Sequence, residues 1–245
     1  MATRGLTHAD SDKRFSDARL QHSLRRYTDN HRMDNCTYCS GIAVTRDHVP
    51  PKALFAPPRP TTLITVPSCA SCNNGAHLDD QYFVHMVLCY HRVSDLPQAA
   101  KQVAKMVERT TAPTARGYWN TLYSRLRSLT VRTPDGLDLG SAPAIAVDRA
   151  RMERVVSRVV RGLFAHSFGR TLDAAAELIV SVDPDAVRES RTKIEQLLAG
   201  PHLKEIQEGV FWYTYNVAAD NPKVSVWLLV FFDKYACLVF AKEPR

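Results

Sequence analysis

At 245 residues, 45% of them hydrophobic and 23% charged, the chain has the makeup of a globular protein able to bury a sizeable core in one or two domains. No run approaches the ~18 apolar residues of a membrane span, and the Met-Ala-Thr-Arg-Gly start lacks a signal-peptide apolar core, so a cytoplasmic protein with no membrane partner is expected. The net charge of +7 suits a polyanion but is unevenly spread: residues 101–170 hold 13 basic against 5 acidic side chains, residues 34–100 only 4 against 5.

Residues 1–32 read as a polar arm, partly disordered, with a short helix within Asp17–Tyr27 that would bury Leu20, Leu24 and Tyr27. Residues 33–95 form the next unit, and it carries the chemistry. Cys36-x2-Cys39 and Cys69-x2-Cys72 are two thiol pairs with 29 residues between them. Each pair can present both sulfurs from one turn, which suits a single tetrahedral structural Zn2+. Gly41–Thr45 reads as a first strand running into Asp47-His48, and Leu63–Val66 as a second strand leading to the second pair. Between them the prolines at 50, 51, 57, 58 and 60 impose an extended loop. From Cys72 to about Tyr90 the pattern is helical, so Asn73, His77 and Asp80, at i, i+4 and i+7, would share one face.

Residues 96–245 read as a second, α+β domain. Residues 96–128 are expected to be helical with a break near Pro113, followed by a turn at Thr133-Pro134-Asp135-Gly136. Asp148–Phe164 is the clearest amphipathic helix: Met152, Val155, Val156, Val159, Val160 and Leu163 make an apolar stripe, while Arg151, Arg154, Arg158 and Arg161 make a basic one. Four arginines in line without alternating acids suit phosphate contacts, although such a stripe is also what a solvated face looks like. A strand within Ala175–Val182, a helix over Pro184–Leu198 and a meander of Val210–Val217, Val224–Phe232 and Tyr235–Ala241 complete the reading.

Two cysteine knuckles enclosing Asp47-His48-Val49-Pro50, with Asn73 directly after the second knuckle, resemble the HNH endonuclease family, whose module is a zinc-stabilised ββα-metal unit. The resemblance covers about 45 residues. It implies His48 as general base, and Asp47, Asn73 and His77 as ligands of a catalytic cation, Mg2+ or Mn2+ given the hard oxygen donors. Asp80 would then support His77 from behind. Thr62 stands near where many members have an asparagine that orients the base, and Arg46 would contact a phosphate. The expectation is a metal-dependent DNA endonuclease with DNA as partner and a homodimer allowed. The alternative is a non-catalytic zinc-ribbon nucleic-acid-binding protein.

Overall fold

Antiparallel pairing of Thr45–Val49 (β1) with Ile64–Ser68 (β2) sets the frame, with Thr45 opposite Ser68 and Val49 opposite Ile64. The structure is a computed structural model and describes residues 35–111, 116–133, 135–198 and 202–244. The arm at 1–32, the break near Pro113 and the turn proline at 134 lie outside the described residues. β1 starts four residues later than the sequence suggests. Ile42 is instead drawn into a bridge with Asn35 that closes the first cysteine turn, so Asp47-His48 lies within the strand and not at its end.

Two helices follow β2 where one was expected: α1 (Ala70–Gly75) and α2 (His77–Cys89). Gly75 ends the first, and the amide of Ala76 turns to the Asn74 carbonyl before α2 begins. Asn73 and His77 therefore sit on successive helical segments joined at Ala76, whose backbone is itself in the right-handed helical region at φ −89°, ψ −14°. α2 is buried nearly all round, from Tyr82 to Leu88.

After α3 (Pro97–Thr111) and α4 (Arg116–Tyr123) comes a hairpin of β3 (Leu126–Arg132) and β4 (Asp138–Ile145), a region whose first residues were read as helix. Cross-strand pairing overrode that reading, and Leu129 and Val131 stay exposed on it. α5 (Arg149–Phe168) matches expectation in position and apolar stripe, with Asp148 as N-cap and Gly169 closing it in the left-handed region at φ 65°. The remainder is β5 (Glu177–Ser181), α6 (Pro184–Glu189), α7 (Arg191–Leu197), β6 (Lys204–Gln207), β7 (Phe211–Ala218), β8 (Asn221–Phe231) and β9 (Tyr235–Lys242). Their antiparallel sheet has the order β5-β9-β8-β7-β6. The molecule is thus α+β with antiparallel sheets.

α5 lies between this sheet and the hairpin, packing on β1, β2, β5, β9 and α2. One cluster of buried side chains runs from Val49 through Tyr82, Met152 and Val160 to Trp227 and Ala241. The core is therefore continuous across residues 95 and 96. Val187, Ile194 and Leu198 of α6, α7 and the turn after them cover part of the sheet's other face.

α5 reaches β1 at Gly162, where a Cβ would fall 2.5 Å from Val49 Cγ2. Gly162→Ala should therefore force the helix off the hairpin and destabilise the protein by about 1–3 kcal/mol, the usual scale of overpacking. Chemical denaturation checks this, and an unchanged midpoint would mean that the contact relaxes freely.

Candidate functional site

The sulfurs of Cys36, Cys39, Cys69 and Cys72 all lie within 4.8 Å of one another. A tetrahedral zinc with ~2.3 Å bonds requires sulfurs about 3.8 Å apart, and Cys39 and Cys69 are 3.7 Å apart. The donor set fits a structural Zn2+. Amides already point at the sulfurs: Tyr38 N–H donates to Cys36 Sγ at 3.5 Å, and Cys72 N–H to Cys69 Sγ at 3.4 Å. The hydrogen bond from the Ser71 hydroxyl, with that amide behind it, pulls the Cys69 thiol down to about 6, toward the thiolate that a metal takes. The cluster ties the turn before β1 to the start of α1 and so holds both ends of the hairpin.

Asp47 and His48 leave β1 on opposite faces, as neighbours in a strand must. Asp47 is buried on the face toward α5, together with Val49. Its Oδ2 accepts from the Tyr38 hydroxyl at 2.7 Å and from Arg158 Nη2. His48 is half-buried on the other face, shared with the exposed Arg46. Burial, and then the charges of Lys52 and Arg59, lower the His48 pKa below its ordinary 6.5, with Asp47 pulling the other way. Arg46 is steadied by Thr65, the residue opposite His48, donating from Nε to its hydroxyl and from Nη2 to its carbonyl, both at 2.9 Å.

Asn73 reaches the same strand, its Nδ2 donating to Thr45 Oγ1 at 3.0 Å and to the Arg46 carbonyl at 3.2 Å. His77 opens α2 and, with Asp80, Gln81 and Lys52, lines a cleft of about 230 Å3. Burial pushes Asp80 up to about 6, against the pull of Arg158. The Thr62 hydroxyl donates to the Ile206 carbonyl at 3.5 Å. Among the described residues, no group of three or more His, Cys, Asp or Glu ligand atoms converges as the four cysteines do. Of the residues expected to hold a catalytic cation, Asp47 has its Oδ2 engaged by Tyr38 and Arg158.

The arginines of the α5 stripe find partners within the fold. Arg151 donates to Asp79 Oδ1 and the Leu78 carbonyl, both at 2.7 Å, and lies over the Tyr82 ring. Arg154 donates to Asp79 Oδ2 at 2.8 Å, and Arg161 to carbonyls of the 172–176 segment. Burial alone would raise the Asp79 pKa, but the hydrogen bonds from Arg154 and Arg151 outweigh it and hold the carboxyl below its ordinary value. Of the four arginines only Arg154 is exposed. The spacing revealed a stripe but not what lies across from it: Asp79 and Asp80 sit on a different element, more than 70 residues earlier in the chain. Tyr38 and Thr65 carried no sequence signal, since their roles arise from pairing across the knuckle and the hairpin.

Comparison of the chain with family models, curated proteins and solved structures gave no match. No helix among the described residues is long and apolar enough to cross a membrane.

Two outcomes follow from this geometry. Cys36→Ser should abolish zinc retention and with it on the order of 10 kcal/mol of metal-linked folding energy, leaving insoluble protein; unaltered melting together with no zinc by elemental analysis would dismiss the metal. Arg151→Gln should cost about 1–3 kcal/mol of stability by leaving Asp79 short of a partner; urea unfolding measures it, and a change within error would make the pair a surface ornament.

Proposed function

We propose that the chain is an endonuclease of the HNH type that hydrolyses phosphodiester bonds in DNA, with His48 as the general base. The single observation that carries this reading is the free face of the β1–β2 hairpin, where His48, kept neutral by burial and by Lys52, stands beside Arg46. A general base must be unprotonated at working pH to take a proton from water, and His48 meets that condition near neutrality. The pre-oriented Arg46 guanidinium supplies a donor for a phosphate oxygen on the same face. Asn73 braces the strand from behind through the Arg46 carbonyl. Water would attack phosphorus as His48 accepts its proton, the P–O bond to the 3′-oxygen breaks as that oxygen takes a proton from solvent, and a 5′-phosphate and a 3′-hydroxyl end result.

In the present arrangement Asp47 Oδ2 is closed off by Tyr38 and Arg158, and no step is derived through the Mg2+ or Mn2+ that Asp47, Asn73 and His77 would hold. That same closure of Asp47 favours a second reading, a zinc-ribbon nucleic-acid-binding module without catalysis. The two separate in one assay. Wild-type protein should nick supercoiled plasmid, and His48→Ala should lose about 100-fold or more of that rate, the scale of a missing general base. Because the His48 pKa is lowered, the protonated and inactive form gathers only below pH 6.5: the rate should climb with pH there and level off above it. Equal nicking by His48→Ala, or DNA binding with no nicking by wild type, would leave the binding module standing.

A further inference from the structure

The Asp47 side chain is 12% exposed, and its carboxylate needs a counter-charge where it lies. Arg158 supplies it from α5. The guanidinium stacks over the Tyr38 ring, 4.8 Å from its centroid, and donates through Nη2 to Asp47. The rest of the group is poorly served. Nη1 is 3.8 Å from Asp80 Oδ1, too far for a hydrogen bond, and both Nη1 and Nε are buried without a hydrogen-bond partner. One nitrogen of three is satisfied, in a setting where unpaired buried donors are costly.

We propose that Arg158 is a positioning residue, the resident counter-ion of Asp47, and that it competes with a divalent cation for that carboxylate. This rests on the reading of Asp47 as a cation ligand within the nuclease site. The guanidinium neutralises Asp47 with one good hydrogen bond, whereas a divalent ion brings twice the charge and prefers hard oxygen donors. Entry of the ion at Asp47 Oδ2 therefore requires the guanidinium to leave that oxygen. Arg158 thus sets cation affinity without being a ligand.

Mn2+ binding to the zinc-loaded full chain, followed by the EPR signal of free Mn2+, tests this in wild type, Arg158→Gln, Arg158→Lys, Asp47→Asn and the Arg158→Gln/Asp47→Asn pair. Arg158→Gln should bind Mn2+ about tenfold or more tightly than wild type, Arg158→Lys should fall between them, and the double variant should lose the gain. Equal affinities for wild type and Arg158→Gln, both lost in Asp47→Asn, would overturn the competition while leaving Asp47 a ligand. Binding indifferent to Asp47→Asn would overturn the competition together with the role of Asp47. Zinc content and circular dichroism identify a variant that has not folded; if Arg158→Gln is one, wild type against Arg158→Lys decides, and equal affinity there rejects the competition. The plasmid assay on His48 is independent of every one of these outcomes.

Discussion

The arrangement around the hairpin depends on how closely α5 can approach β1. Gly162 has no side chain at the crossing, so Val49 fills that space and the helix axis comes in tight. Everything N-terminal on the same helix face is placed by that contact. One turn before Gly162, Arg158 is carried into Asp47; another turn back, Arg154 and Arg151 meet Asp79. A packing contact therefore decides an electrostatic one. Had the helix stood further out, Arg158 would end in water and Asp47 would be a buried carboxylate without a counter-charge, an arrangement whose cost the fold could not easily carry.

The zinc cluster answers a different need. A two-stranded hairpin is marginal alone, and β1–β2 gains one buried face from α5 and two fixed ends from the cysteines. With both ends held, the outer face can stay polar and open, leaving Arg46, His48 and Thr65 free of packing duties. Burial on one face and covalent-like closure at the ends together free the other face for chemistry.

What the sequence made legible follows the range over which each signal acts. The cysteine spacing is local, and the four sulfurs meet as it requires. The apolar stripe of α5 is a periodic signal along one element, and every member from Met152 to Leu163 is buried. The terminal meander likewise reads from its β-branched and aromatic runs. Errors arise where partners come from elsewhere. The single helix read from Cys72 to about Tyr90 is instead two, joined at Ala76, a junction that periodicity alone overlooks. β3 is made a strand by β4, and its own residues were ambiguous between helix and sheet. The arginine stripe was correctly seen as a stripe, but its occupation by Asp79 and Asp47 depends on packing that no spacing encodes.

Internal pairing also relocates the free positive charge. The segment richest in basic residues spends much of it on Asp79, Asp47 and Asp148. Exposed cations instead surround the face of His48: Arg46 on the same strand, Lys52 just beyond it, and Arg59, whose Nε donates to the Lys52 carbonyl at 3.3 Å. Lys52 and Arg59 also act against protonation of His48. On the proposed reading, these charges have two effects that change with occupancy. Before substrate arrives they keep the imidazole neutral and attract a phosphate. Once the phosphate is seated, its negative charge offsets theirs, and the proton affinity of His48 rises at the moment when it must accept a proton from water. The same few cations thus prepare the base in the empty site and strengthen it in the filled one.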